Sequence, residues 1–111
     1  MAKAKFVIEK GKGGFRFNLL STNSEPILHS ERYNTKDSAK RGIKSVMKHA
    51  GDLENYVEKT AKNGQSYFNL RSGNNRVIGT SEMYSSSAAS KNGIKAVQRV
   101  ASSAEIEDKS K

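Results

Sequence analysis

Six basic residues recur at one spacing: Lys40, Lys44 and Lys48, then Lys91, Lys95 and Arg99 fifty-one residues further on. Residues four apart drift only about 40° around a helix, so each triplet makes a basic stripe on one helical face. Lys36 and Arg41 widen the first stripe. Two such ridges can follow a phosphate backbone, the free energy coming largely from released counterions. The competing reading is plain solubility, since lysine is common on exposed helix faces. The chain lacks the aromatic pair of an RRM, a KH loop and paired zinc ligands. Polyanion or RNA binding through the two stripes is the leading specific expectation.

A second duplicated set is polar and uncharged at its centre. Asn18 and Asn69 alternate with Phe17 and Phe68, beside Arg16 in one copy and beside Tyr67 and Arg71 in the other. On an open sheet face, arginine, asparagine and an aromatic ring can stack on and hydrogen-bond a planar or polymeric ligand. Cross-strand Asn and Arg also do no more than solvate an exposed sheet, and that is the plainer reading. Ser30-Glu31-x-Tyr33 and Ser81-Glu82-x-Tyr84 lie between strand and helix. Packing and capping explain them better than ligand binding does.

Catalytic constellations are weak. The two histidines, His29 and His49, correspond to Thr80 and Val100 in the second copy, and neither has metal-ligand spacing to an acidic residue. Gly11-Lys12-Gly13-Gly14 has the look of a phosphate cradle. A P-loop, however, joins a strand to a helix, and this segment joins two strands. The serines sit in turns and at helix starts, where capping accounts for them. No enzyme, cofactor or metal site is expected.

These groups are carried by an internal duplication. Phe17 to Ala50 aligns without a gap on Phe68 to Ala101, with fifteen of thirty-four positions identical. A feature present in one copy only is unlike what the repeated unit was built for. The chain has 111 residues, and each half is near the size at which a lone core becomes marginal, so the halves should share one. Apolar content is 34% and mean hydropathy is −0.76, yet the apolar residues are periodic, which argues for a folded chain. There is no cysteine, hence no disulfide and no thiolate chemistry. Net charge is +7 over residues 1–51, +3 over 52–102 and −1 over 103–111. No run is long enough for a signal-peptide core or a membrane span, so a cytoplasmic protein without membrane binding is expected.

Periodicity places the elements. Phe6-Val7-Ile8 reads as a strand, and Phe15, Phe17 and Leu19 alternate with polar residues in a second. Pro26 to Ser30 reads as a third strand, then a helix starts at Thr35 as N-cap and stops at Gly51 as a left-handed cap. Ala39, Ile43, Val46, Met47 and Ala50 form its apolar stripe. The second half repeats the order, with strands near 56–60, 66–71 and 76–81 and a helix over about 86–101. Ala89, Gly93, Ile94, Val97, Val100 and Ala101 form that helix's stripe. Gly42 and Gly93, mid-helix, should mark a close approach to sheet or helix. The expected fold is α+β: a two-layer sandwich of tandem βββα repeats, 1–51 and 52–102, whose antiparallel sheet is covered on one face by two helices. Pseudo-two-fold symmetry would make the monomer an internal dimer within a single domain, 1–102. Residues 103–111 read as a mobile tail.

Phe15-Arg16-Phe17-Asn18-Leu19, the asparagine-bearing turn, Ser30-Glu31-x-Tyr33 and Gly42-Ile43-Lys44-Ser45-Val46 together resemble the repeat of the YegP-like family. Its members are small, mostly bacterial proteins of unknown function with one unit or two in tandem. The resemblance spans all but the tail and implies an α+β fold of duplicated strands and helix; it implies no established activity. The chain departs at Asn23-Ser24, where the family commonly has Asn-Gly, so the geometry of that turn is in question. Taken together the residues suggest a non-enzymatic binding module for a polyanion. The alternative is a protein-interaction module using an exposed sheet face or edge.

Overall fold

The computed structural model describes residues 3–110; the outermost parts of the first repeat and of the tail, residues 1–2 and 111, lie outside it. Strands β1 (Lys5–Gly11), β2 (Gly14–Leu20) and β3 (Pro26–His29) lead into helix α1 (Lys36–His49). A short 3-10 turn, Leu53–Asn55, opens the second half. There β4 (Tyr56–Thr60), β5 (Ser66–Arg71) and β6 (Val77–Thr80) precede α2 (Ser87–Val100), and β7 (Glu105–Asp108) follows a second 3-10 turn. The result is an α+β fold with one seven-stranded sheet in the order β4-β5-β6-β3-β2-β1-β7.

Alternation in β2 and β5 sends Phe17, Leu19, Phe68 and Leu70 to one face, all fully buried. Ile43 and Val46 of α1 and Ile94 and Val97 of α2 join the same hydrophobic cluster, so both helices pack on that face. α1 reaches across to β5 and β6, and α2 across to β3, which makes one core from both halves. Thr35 accepts a hydrogen bond from Ser38 N–H and Ser86 accepts one from Ala89 N–H, each at 3.1 Å, capping the helices as their sequences require.

A three-residue stack repeats in each half. Tyr33 lies nearly parallel to Phe17 at 6.2 Å between ring centroids, and Tyr84 to Phe68 at 6.4 Å. A methyl group on Gly42 would stand 2.8 Å from Tyr33 Cζ, and one on Gly93 2.7 Å from Tyr84 Cζ. The close approach expected of the two glycines is therefore to these tyrosine rings. Behind each ring, a serine hydroxyl fixes the strand end: Ser30 and Ser81 accept the Phe17 and Phe68 amides at 2.9 Å.

The halves meet between β3 and β6, where His29 pairs with Thr80, its own equivalent fifty-one residues away. Leu28 has Gly79 as its equivalent, and a methyl on Gly79 would be 2.7 Å from Leu28 Cδ2. One leucine thus fills the space that two equivalents would contest.

Four expectations are corrected. The sheet is mixed rather than antiparallel, because β7 runs parallel to β1, with Lys5 to Ile8 opposite Glu105 to Asp108. The segment expected to be a mobile tail is this strand. Glu105 N–H donates to Ala4 O at 3.1 Å and Lys109 N–H to Ile8 O at 2.8 Å, closing the ladder. Gly51 is not in the left-handed region, since the helix ends on Ala50 at φ −66°, with its N–H on Val46 O. On α2 the position under the helix is Ser90, fully buried, while Ala89 is only half-buried.

The turn in question resolves in one respect: Ser24 has φ 67°, as does its equivalent Asn75. Asparagine tolerates that region and serine does so less well. Ser24→Gly should raise unfolding free energy by about 0.5–1 kcal/mol in urea denaturation, and no gain would refute strain at this position. At the junction, Gly79→Leu and Leu28→Gly should each destabilise by roughly 2–5 kcal/mol. The double swap should recover at least half of the summed loss, and simple additivity would contradict direct packing of the pair.

Candidate polyanion interface

The apolar stripe of each helix fixes where its lysines go. With Ile43 and Val46 turned into the core, Lys40, Lys44 and Lys48 stand exposed on α1, and Lys91, Lys95 and Arg99 stand exposed on α2. Lys91 alone of the six has an acidic partner among the described residues, Glu58 at 3.4 Å. Lys36 is not part of a free ridge: its ammonium lies 2.9 Å from Asp108 of β7. Arg41 is exposed on the flank of α1.

The opposite sheet face gathers the second candidate set into a single row. Val57, Asn69, Thr80, His29, Asn18, Val7 and Glu107 are successive cross-strand partners over all seven strands. Their polar groups are engaged within the sheet. Asn69 accepts from the Thr80 hydroxyl at 3.0 Å and is itself only 9% exposed, and Asn18 donates to Glu9 at 3.3 Å. His29 Nδ1 lies 3.8 Å from a Glu82 carboxylate oxygen. Arg16 is exposed opposite Glu9, and Tyr67 is half-buried opposite Lys59. Arg71 follows Asn69 two residues along β5, past a register shift after Leu70, and its guanidinium donates to Asn75 of the adjoining turn at 2.9 Å. Its buried Nε has no partner among the described residues.

The flank of α1 carries a groove that the demand for duplication passed over. It lies between α1 and the β5–β6 turn and is lined by Arg41 and Arg76 together with serine, asparagine and tyrosine groups. Arg41, Arg76, Ser38 and Ser45 differ between the copies, so a filter for shared residues discards them. His49 pins that turn: its Nδ1 sits 2.8 Å from Ser45 O, and its Nε2 accepts Gly73 N–H at 3.2 Å. This pairing assigns the imidazole proton to Nδ1. The imidazole thus ties the end of α1 to the β5–β6 turn.

Titration behaviour follows burial and charge. Burial raises the Tyr33 and Tyr84 phenols; Glu31 raises the first and Glu82 the second further, while Arg76 acts against the rise at Tyr33. Tyr56, buried with its hydroxyl donating to Ala50 O at 2.6 Å, is raised well above the ordinary range by burial. Glu107 is held low first by its hydrogen bond to Lys5. Asp108 is held well below the usual carboxylate range, first by hydrogen bonds from Ser110 and Lys36.

The combination of a seven-stranded mixed sheet with two helices matches known proteins closely. A family model described as a domain of unknown function, DUF1508, matches the chain twice, over residues 11–56 and 61–108. The chain belongs to that family, in its YegP-like, two-copy form. It is 42% identical over 109 residues to a UPF0339 protein of Mannheimia succiniciproducens, covering 97% of this chain and 96% of that one. It is 43% identical over 94 residues to the UPF0339 protein YegP of Escherichia coli, covering 85% and 86% respectively. The solution structure of E. coli yegP superposes with a TM-score of 0.92 at 38% identity, covering 99% of this chain and 96% of that one. A UPF0339 protein of Shewanella oneidensis gives 0.89 at 40% identity, covering 96% and 91%. These relatives are proteins of unknown function, so the similarity carries fold and family. No helix among the described residues is long and apolar enough to cross a membrane.

A carboxylate with a depressed folded-state pKa stabilises the fold above its unfolded pKa of about 4, and that contribution is lost as pH falls below it. Asp108 ties β7 to α1 in this way. Asp108→Asn should therefore lower the melting temperature near neutral pH and flatten its decline between about pH 5 and pH 3. A decline as steep as in the parent protein would exclude Asp108 as a source of acid sensitivity.

Proposed function

We propose that the protein is a non-enzymatic binding module that engages a polyanion, RNA being the leading case, through the outward faces of α1 and α2. The observation that carries this reading is the state of the six duplicated cations. All are exposed, and five have no acidic partner among the described residues. The opposite sheet face offers less, since Asn69 is only 9% exposed and bonded to Thr80, and Asn18 donates to Glu9. Phosphates arriving at the helix faces would replace only water and counterions around those cations.

In this reading the repeats form one domain, 3–110 of the described chain, related by an approximate two-fold axis between His29 and Thr80. Helices make one layer and the sheet the other, and the monomer acts as an internal pseudo-dimer in the cytoplasm. Protein interaction through a sheet edge has weaker support. β4 is the edge strand without a β7 equivalent, but it carries Lys59, and Glu58 is turned toward Lys91 of α2. Charges placed so blunt an edge against strand addition.

The test is a heteronuclear NMR titration with a short single-stranded RNA and a duplex DNA, at low and near-physiological salt. Shifts should map to the helix faces, and affinity should fall steeply with salt, by a log–log slope of about −0.9 per duplex phosphate contacted. Reversing Lys40, Lys44 and Lys48 to Glu should abolish binding without altering the melting temperature. Persistent shifts on the Asn18 and Asn69 face would move the site to the sheet, and no shifts at either salt would refute nucleic-acid binding.

A further inference from the structure

We infer that the groove between α1 and the β5–β6 turn is a binding site for a phosphate monoester. Three kinds of observation carry this: what lines the groove, what orients the lining, and how the same place looks in the other half. The groove has a volume of about 320 Å3, within the range of small-molecule sites. Arg41, Arg76, Ser38, Ser45, Asn74 and Tyr33 line it, and no carboxylate does. All six can donate hydrogen bonds. Asn74 presents its amide nitrogen, because its carbonyl oxygen is taken by the Ser72 hydroxyl. Tyr33 keeps its proton, its phenol being raised by burial and by Glu31. Two guanidinium groups with surrounding hydroxyl donors suit a tetrahedral dianion.

The donors are held in place from behind. Ser38, Arg41 and Ser45 recur at three- and four-residue spacing on one flank of α1, and Gly42 beside them seats the helix on the Tyr33 ring. Arg76 is steered by Glu31 at 3.3 Å, an exposed pair that leaves other guanidinium hydrogens free. His49 fixes the turn that carries Asn74.

The other half supplies an internal control. Its scaffold is the same, with Tyr84 against Gly93. At the equivalent positions, however, Ser38, Arg41 and Ser45 become Ala89, Asn92 and Ala96, and Arg76 becomes Glu25. Both guanidinium groups and the two helix serines are lost together and a carboxylate appears, while the turn residues Ser72 and Asn74 keep their equivalents in Ser21 and Asn23. Solubility does not require cations and hydroxyls to be sorted onto one of two equivalent helix–turn junctions.

The site borders the lysine stripe at Arg41, which also lies beside Lys40 and Lys44, but it uses none of the six stripe cations and does not rest on polyanion binding. The test is a titration with ribose 5-phosphate and with inorganic phosphate, followed by arginine side-chain and backbone amide NMR. Saturable shifts at Arg41, Arg76, Ser38, Ser45 and Asn74 are expected, and Arg41→Ala should weaken binding at least tenfold. The Lys40, Lys44, Lys48 reversal should leave ribose 5-phosphate binding in place, whatever it does to RNA. A 5′-phosphorylated dinucleotide compared with its 5′-hydroxyl form distinguishes a nucleic-acid terminus from a free sugar phosphate as the source of the monoester. Non-saturating shifts, shifts spread evenly over all basic residues, or an Arg41→Ala protein that is folded and binds as before would each overturn the proposal.

Discussion

Everything in this molecule hangs on the meeting of β3 with β6. Each half has too few residues to bury a robust core alone, and the halves are joined in the sheet by strands of only four residues each. At that seam each residue meets its own equivalent or a near neighbour of it, so identical side chains would compete for one space. Leu28 against Gly79 removes the conflict by giving all of the volume to one side. Two leucines would collide, and two glycines would leave a void in the middle of the core. A tandem chain can carry this asymmetry, whereas a dimer of identical single units would have to place the same residue on both sides.

The repeated Phe–Tyr–Gly stack is the second constraint. With Gly42 and Gly93 seated on tyrosine rings, each helix lies close to the sheet in one rotational setting. The setting decides which flank faces solvent and which opens as a groove. The stacking residues are the same in the two copies of the unit, while several residues lining the groove beside α1 differ from their equivalents. Arg41 and Arg76 have diverged from their equivalents, and Phe17, Tyr33 and Gly42 have not.

How much of this could be read beforehand follows from what leaves a periodic trace. Alternation in Phe15, Phe17 and Leu19, the spacing of Ile43 and Val46, and the capping residues Thr35 and Ser86 are local signals, and they located the main strands and both helices. The lysine stripes were legible for the same reason, since burying one side of a helix dictates the other. β7 was not legible: four residues with a single Ile106 carry no period, and the information lies in their acidity opposite Lys5 of β1 and Lys3 just before it, a hundred residues earlier. Gly51 misled because a glycine after a helix usually takes the left-handed cap, while here the chain passes into a 3-10 turn capped by Asp52. The groove was beyond reach for a topological reason. Its walls come from the helix of one repeat and the turn of the other, which no local pattern joins.

The parallel pairing of β7 with β1 bears on the order in which the molecule is assembled during synthesis. β7 leaves the ribosome about a hundred residues after β1. Until then the amide and carbonyl groups on the outer edge of β1 have no strand beside them, and that edge is open to pairing with other chains. The acidic run at 105–108 then arrives beside the basic strand as a built-in closing piece. On this view the last strand guards the nascent sheet against its neighbours as much as it steadies the finished fold.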